Sequence, residues 1–208
     1  MSSVNFRLLL VTDRHRTRGR ALSSTLRQSV EAGLPAVQLR ERDLSTSELL
    51  LLAQEIRSIT APRAVPLLIN DRIDLMLALN LDGVHLRANS LPIAAVRRLV
   101  GPDRLIGIST HSLAEVHAAN RDGADYVVFG PIFDTPSKRE FGSPVGLEQL
   151  AEVCRRSAVP VFAIGGGTRA SVPAGLRAGA HGVAVIGAIL AQDDIAAVTR
   201  EIAAALTP

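Results

Sequence analysis

Aromatic residues are scarce, at 3% of the 208-residue chain, with no tryptophan and a single tyrosine. A core built from this chain must be filled by Leu, Val, Ile and Ala, the branched and small aliphatic residues that fill barrel interiors. There is one cysteine, Cys154, so an intrachain disulfide is excluded and a reducing compartment is the default. Cys154 lies in the helical pattern LEQLAEVCRR (147–156) and reads as a small buried apolar residue. Net charge is also slight, at +3, and the basic residues are scattered rather than gathered into a stripe. That excludes the footprint of a nucleic-acid binder but leaves small anions as natural partners. Long apolar runs are missing too. The N-terminal run from Leu8 to Val11 is bounded by Arg7 and Asp13, too short for a signal segment or a membrane span. A cytoplasmic protein with no membrane partner is the expectation.

What the chain does contain is a regular alternation. Short runs rich in β-branched residues recur at 6–12, 35–40, 66–70, 82–87, 104–109, 125–130, 160–166 and 181–187. Between them lie helical patterns, among them 44–59, 91–100, 113–121, 147–156 and 189–206. Ser23, Ser45, Ser90, Ser112 and Thr168 are candidate N-caps, and Ser45 has Glu48 at capping-box spacing. Gly33, Gly123 and Gly179 stand where helices should end. The segments LDGVHL, DGADYVVFG and AGAHGVAVIG form a weak internal repeat, with no linker or low-complexity stretch between units. Alternating β and α units imply a parallel sheet. About eight such units in this length predict an α/β fold: one parallel (β/α)₈ TIM barrel spanning 1–208 as a single domain, rather than an open doubly wound sheet.

In such a barrel, chemistry gathers at the C-terminal ends of the strands. Those ends carry Gln38, Arg40 and Arg42 at the second run, Asn70, Asp71 and Arg72 at the third, and Arg87 at the fourth. Ser109 and His111 follow the fifth, and Thr135, Ser137 and Lys138 the sixth. Gly165, Gly166 and Gly167 follow the seventh, and Ile186 with Gly187 the eighth. The three glycines predict a phosphate cradle of backbone N–H groups, completed by the loop at Ile186 and Gly187. The long polar loop after the sixth run offers hydroxyls and an ammonium group to anionic oxygens. Asp71 has two readings, a ligand for Mg²⁺ or a cap for the helix IDLMLAL (73–79). His111 is the candidate acid–base, with Ser109 beside it and Arg40 as the third catalytic candidate. His117 reads as mid-helix, His181 as lying at the opposite end of the barrel, and His15 as part of a charged loop. His85 sits inside the fourth run, its facing undecided.

Taken together, VQLRER (37–42), INDR (69–72), DGVHL (82–86), GISTHS (107–112), DGADYVVFGPIF (122–133), TPSK (135–138), VGLEQL (145–150), AIGG (163–166) and GAHGVAVIGAI (179–189) resemble the thiamine phosphate synthase/TenI superfamily over nearly the whole chain. The resemblance implies one of two activities on one fold. A thiamine phosphate synthase joins a pyrimidine pyrophosphate to a thiazole phosphate, with Mg²⁺ assisting departure of pyrophosphate. A TenI-type tautomerase isomerises a thiazole carboxylate phosphate, with a histidine after the fifth strand as acid–base.

The sequence departs from the synthase pattern twice. Where the synthase has Gln-x-Arg-x-Lys, this chain has Gln38, Arg40 and Arg42, which keeps the charge but not the geometry of lysine. Where the synthase has an acidic metal ligand in a GQ-x-D segment, it has Arg87, Ala88, Asn89 and Ser90. Asp71 alone would then hold the metal. SLP (90–92) and the pair His111-Ser112 look TenI-like, whereas TPSK suits a pyrophosphate site. The tautomerase is therefore the expected activity, with no cofactor assigned: His111 moves the proton, Arg40 or Lys138 holds the substrate carboxylate, and Gly166, Gly167 and Gly187 hold the phosphate. The alternative is the synthase, with Mg²⁺ on Asp71. A third possibility is a non-catalytic barrel that binds a thiamine-related ligand. The implied partners are a phosphorylated thiazole, a pyrimidine pyrophosphate in the synthase case, and a second copy of the chain in a homodimer.

Overall fold

The computed structural model describes residues 4–134, 144–166 and 171–206. Each of the eight apolar runs becomes one strand, the fifth reaching one residue past its run: β1 (Leu8–Val11), β2 (Val37–Leu39), β3 (Leu67–Asn70), β4 (Gly83–Leu86), β5 (Leu105–Thr110), β6 (Tyr126–Phe129), β7 (Val161–Ile164) and β8 (Gly182–Val185). All neighbours pair in parallel, and β8 returns to pair with β1, closing the barrel. The helices that cover it are α1 (Leu22–Glu31), α2 (Thr46–Thr60), α3 (Ile73–Ala78), α4 (Ile93–Val100), α5 (Leu113–Asp122), α6 (Gly146–Arg156), α7 (Val172–Arg177), α8 (Gly187–Leu190) and α9 (Ile195–Ala205). The open doubly wound alternative is thereby excluded.

Side chains of a strand alternate between its two faces, and here the alternation sorts the apolar residues into two cores. Leu8, Leu10, Val37, Leu39, Leu67, Ile69, Val84 and Leu86 join the helices in the outer layer. Leu9, Val11, Ala36, Leu68, Leu105, Tyr126, Val128, Phe162 and Ala184 fill the inside of the barrel. Phe6 lies across the N-terminal floor, with ring centroids 6.0 Å from Tyr126 and 5.3 Å from Phe162. Three of the chain's six aromatics, Phe6, Tyr126 and Phe162, thus gather where the barrel must be plugged. At the same end His181 lies edge-on to Phe162, and its Nε2 is 3.0 Å from the Phe6 carbonyl.

The caps sort by their neighbours. Ser45 closes a complete capping box with Glu48, and Ser112 accepts from the Glu115 N–H. Ser23 is not a cap: it lies within α1, whose N-cap is Ala21. Neither is Ser90, since α4 begins after Pro92. Thr168 lies outside the described residues. Gly123 is the left-handed C-cap of α5, and Gly33 and Gly179 follow the caps of α1 and α7 with φ of +95° and +94°. The helix expected over 189–206 is broken in two, because the Asp194 side chain accepts from the Ala197 N–H and starts α9 afresh. Cys154 is half-buried against the outer core, and burial pushes its thiol up to about 11, so it is a packing group rather than a nucleophile. No helix among the described residues is long and apolar enough to cross a membrane.

Candidate active site

The inward positions turn polar toward the C-terminal end of the barrel. Gln38 is buried and its Nε2 donates to Asn70 Oδ1 at 3.3 Å, joining β2 to β3. Arg40 follows in the same inward register, and its backbone N–H donates to the buried Thr12 hydroxyl at 2.8 Å. Its guanidinium is pushed below the ordinary arginine range, chiefly by burial and next by the charge of Arg42, with Arg87 adding to the effect. Three arginines from two loops therefore share one electrostatic neighbourhood, offset in part by Asp13 and Glu41, and an anion entering it is favoured. Arg42 itself is exposed.

A group that sequence reasoning passed over holds these loops. The Arg14 guanidinium forks onto Asp43 at 2.5 and 2.7 Å and also reaches Glu41 Oε2 at 3.3 Å. His15 Nε2 meets Asp43 at 2.9 Å, so the charged loop after β1 is tied to the loop after β2. These hydrogen bonds hold the Asp43 carboxyl well below the usual carboxylate range. The Glu41 side chain is only 2% exposed, and its Oε1 has no hydrogen-bond partner among the described residues. The signal available in the sequence was the mix of acid and base in RER and DRHR (13–16), which fixes neither partner.

His111 stands on the rim after β5. Its Nδ1 is 2.6 Å from the Gly130 carbonyl. A carbonyl only accepts, so Nδ1 carries a proton and a neutral ring presents Nε2 as its base. The ring is pinned in direction and open to solvent, as an acid–base group requires. Ser109 lies one inward position below and contacts His85 Nε2 at 3.0 Å. His85 points into the barrel, which settles the facing left open above. Its Nδ1 is 3.0 Å from the Tyr126 hydroxyl. Burial, assisted by the charge of Arg40, lowers His85 to about 3, so the ring is neutral. A polar file of Tyr126, His85 and Ser109 thus runs from the aromatic floor up to the rim.

Asp71 sits at the rim with φ +61°, in the left-handed region. It does not cap α3, whose N-cap is Arg72 with no side-chain bond. Its carboxylate is already engaged. Oδ2 accepts from Arg87 Nε at 3.0 Å and closely from Arg87 Nη2, and Oδ1 accepts a close hydrogen bond from the Ser90 hydroxyl. Ser90 Oγ in turn accepts from the Arg87 backbone N–H at 2.8 Å. A cavity of about 210 Å³ opens beside this cluster, lined in part by Arg87, Ser90, Ser109 and Glu115. It is smaller than the usual ligand cleft of ~300–1,000 Å³, an annex to the barrel mouth.

Gly165 and Gly166 follow β7 with φ of +96° and +65°. A Cβ on Gly165 would lie 2.6 Å from Pro131 Cβ, and one on Gly166 would lie 2.5 Å from Phe133 Cβ. Packing against the loop after β6 therefore demands glycine at both, whatever the ligand. Gly187, preceded by the half-buried Ile186, opens α8, and among the described residues a Cβ there would meet only Ala191 Cβ at 3.8 Å. Gly167, Thr135, Ser137 and Lys138, the other expected phosphate contacts, lie outside the described residues. Among the described residues no three His, Cys, Asp or Glu side chains are placed to share a metal ion.

Residues 8–189 match the family model described as thiamine monophosphate synthase. A Geobacter sulfurreducens protein provisionally named thiamine-phosphate synthase is 45% identical over 208 residues, covering all of this chain and 98% of its own. The thiamine-phosphate synthase of Chloroflexus aurantiacus is 41% identical, covering 97% of this chain and 93% of its own. Among solved structures, thiamine phosphate pyrophosphorylase from Pyrococcus furiosus superposes with a TM-score of 0.87 at 30% identity, covering 96% of this chain and 95% of that one. Of the two activities the sequence left in contention, these likenesses favour the synthase over the expected tautomerase. With its closed eight-stranded barrel and matches of this extent, the chain belongs to the thiamine monophosphate synthase/TenI family.

Proposed function

We infer that the protein is a thiamine phosphate synthase, joining a hydroxymethylpyrimidine pyrophosphate to a thiazole phosphate. The observation that carries this reading is the end-to-end likeness to proteins named for that activity. The chemistry asks for a site that stabilises a leaving pyrophosphate. The pyrimidine CH₂–O bond breaks, pyrophosphate departs with the electron pair, and the thiazole nitrogen lone pair forms the new C–N bond. Arg40 and Arg42 supply the positive charge against which the leaving anion develops. Gln38 and Asn70, linked to each other, present amide groups to the reacting pyrimidine at the bottom of the mouth. The turn at Gly165 and Gly166, with Gly187 after the neighbouring strand β8, receives the thiazole phosphate. Thr135, Ser137 and Lys138 complete the anion contacts in this reading.

The Asp71 carboxylate, with Arg87 on one oxygen and Ser90 on the other, does not fit a Mg²⁺ ion as the cluster stands. The test is formation of thiamine phosphate from the two purified substrates in the presence of Mg²⁺, read as fluorescence after oxidation. No product from folded protein would overturn the reading.

A second reading rests on His111. Its ring, oriented by Gly130, has the geometry of a tautomerase acid–base. Solvent proton exchange on a thiazole carboxylate phosphate, lost by about 10²–10⁴-fold in His111→Ala, would establish it.

A further inference from the structure

Arg87 is placed where it forbids one thing and permits another. Its Nε and Nη2 both point at Asp71 Oδ2, so the Asp71 carboxylate meets a full positive charge. A divalent cation bound to the same oxygens would sit against that guanidinium, and like charges at contact distance repel strongly outside bulk water. The remaining oxygen is taken by Ser90. Ser90 also receives the Arg87 backbone N–H, so the three residues lock one another. Mg²⁺ demands near-octahedral oxygen ligands at short distance and gives up its waters reluctantly. To ligate it, Asp71 would have to give up Arg87 at Oδ2 or seat the ion on Oδ1 beside Ser90, against the same guanidinium charge.

The other side of the guanidinium is open. The Arg87 side chain is 45% exposed, and Nη1, with two N–H donors, has no hydrogen-bond partner among the described residues. The charge of Arg87 is felt at Arg40, which places it in the same field as the arginines of the β2 loop. Arginine offers a planar fork of donors that matches phosphate oxygens, and its charge is permanent.

We propose that Arg87, anchored on Asp71 and Ser90, replaces the metal ion at this end of the site, so that the protein grips a diphosphate with arginines and without a divalent cation. The proposal rests on the synthase reading for the identity of the anion, a diphosphate ester. It concerns how that anion is held, not which bonds change.

The probe is inorganic pyrophosphate, titrated calorimetrically into the full-length protein with EDTA present. Binding in EDTA is expected, and Arg87→Ala should weaken it by about 10-fold or more, the loss of charge-assisted hydrogen bonds. Arg87→Lys, which keeps the charge but not the fork, should fall between the two and covers the case in which the alanine variant fails to fold. In parallel, Mn²⁺ binding is followed by electron paramagnetic resonance. The wild type should leave Mn²⁺ free, whereas the double variant Arg87→Gly, Ser90→Asp should take it up. Pyrophosphate binding that appears only when Mg²⁺ is supplied would overturn the proposal, as would an Arg87→Ala variant that binds like wild type. If thiamine phosphate is nevertheless formed with Mg²⁺, the synthase reading survives that failure. Absence of pyrophosphate binding in both conditions, together with absence of turnover, would sink both.

Discussion

Acidification should weaken this barrel through one buried ring. His85 is 2% exposed, enclosed by Tyr126 on one nitrogen and Ser109 on the other, and it takes up a proton only at about 3. In the unfolded chain a histidine titrates near 6.5. Between these values the unfolded state binds a proton that the folded state refuses, so stability rises with pH and is lost as pH falls from about 6.5 toward 3. Each unit of that window is worth about 1.36 kcal/mol. By about pH 4.5, two units into it, His85 alone should have removed roughly 3 kcal/mol, a large share of the ~5–15 kcal/mol that holds a typical domain together. Carboxylates also titrate in this range, so the wild type by itself does not isolate the effect. His85→Gln does, because the amide can accept from Tyr126 and donate to Ser109 without titrating. Urea unfolding of both proteins at about pH 7 and about pH 4.5 should show the wild type losing roughly 3 kcal/mol more than the variant on acidification. Equal losses in the two proteins would refute the assignment of a neutral, proton-refusing His85.

Other perturbations have equally definite outcomes. Gly107→Ala would place a Cβ 2.1 Å from Tyr126 Cζ and 2.4 Å from its hydroxyl. The ring must swing off His85, and overpacking of about 1–3 kcal/mol should lower Tm by several degrees, at roughly 2–4 °C per kcal/mol in a chain of this size. An unchanged melting curve would show that the floor has slack. Arg14→Ala strips the side-chain donor from the buried Glu41 carboxylate and frees Asp43, and should cost about 1–3 kcal/mol in urea unfolding and raise KM through the loosened Arg40 loop. A variant that unfolds as wild type does would show that the tie between the first two loops is idle. Ser45→Ala, which opens the capping box of α2, should cost about 1 kcal/mol by the same measurement. In the synthase assay Arg40→Ala should reduce kcat/KM by about 100-fold or more, and His111→Ala by less than about 10-fold. The reverse ranking would point to proton transfer as the chemistry.

The barrel was legible because parallel strands buried on both faces appear as short apolar runs, and eight of them with helical patterns between leave little choice of closure. The same double burial hid what mattered inside. In GVHL (83–86) both faces are covered, so nothing in the run says that His85 faces the cavity while Val84 and Leu86 face the helices. The partnership of His85 with Tyr126 crosses 41 residues and depends on the parallel register of β4, β5 and β6. Helix starts divided by a simple rule. Ser45 and Ser112 have a glutamate three residues on and are true caps, whereas Ser23 and Ser90 have Leu26 and Ile93 there and are not. Of the site, the rim positions followed from strand ends alone. What Asp71 does there did not, because its state depends on Arg87 and Ser90, sixteen and nineteen residues further along the chain.

The aromatic floor turns the barrel into a cul-de-sac. With Phe6, Tyr126 and Phe162 closing the N-terminal end, the barrel opens, among the described residues, at the end that carries Arg40 and His111. In the proposed reaction of two substrates and two products, whatever lies deeper would wait behind whatever lies above it. The sequence of departures is then set by depth, and a tightly held molecule at the threshold delays the one below, however weakly that one is held.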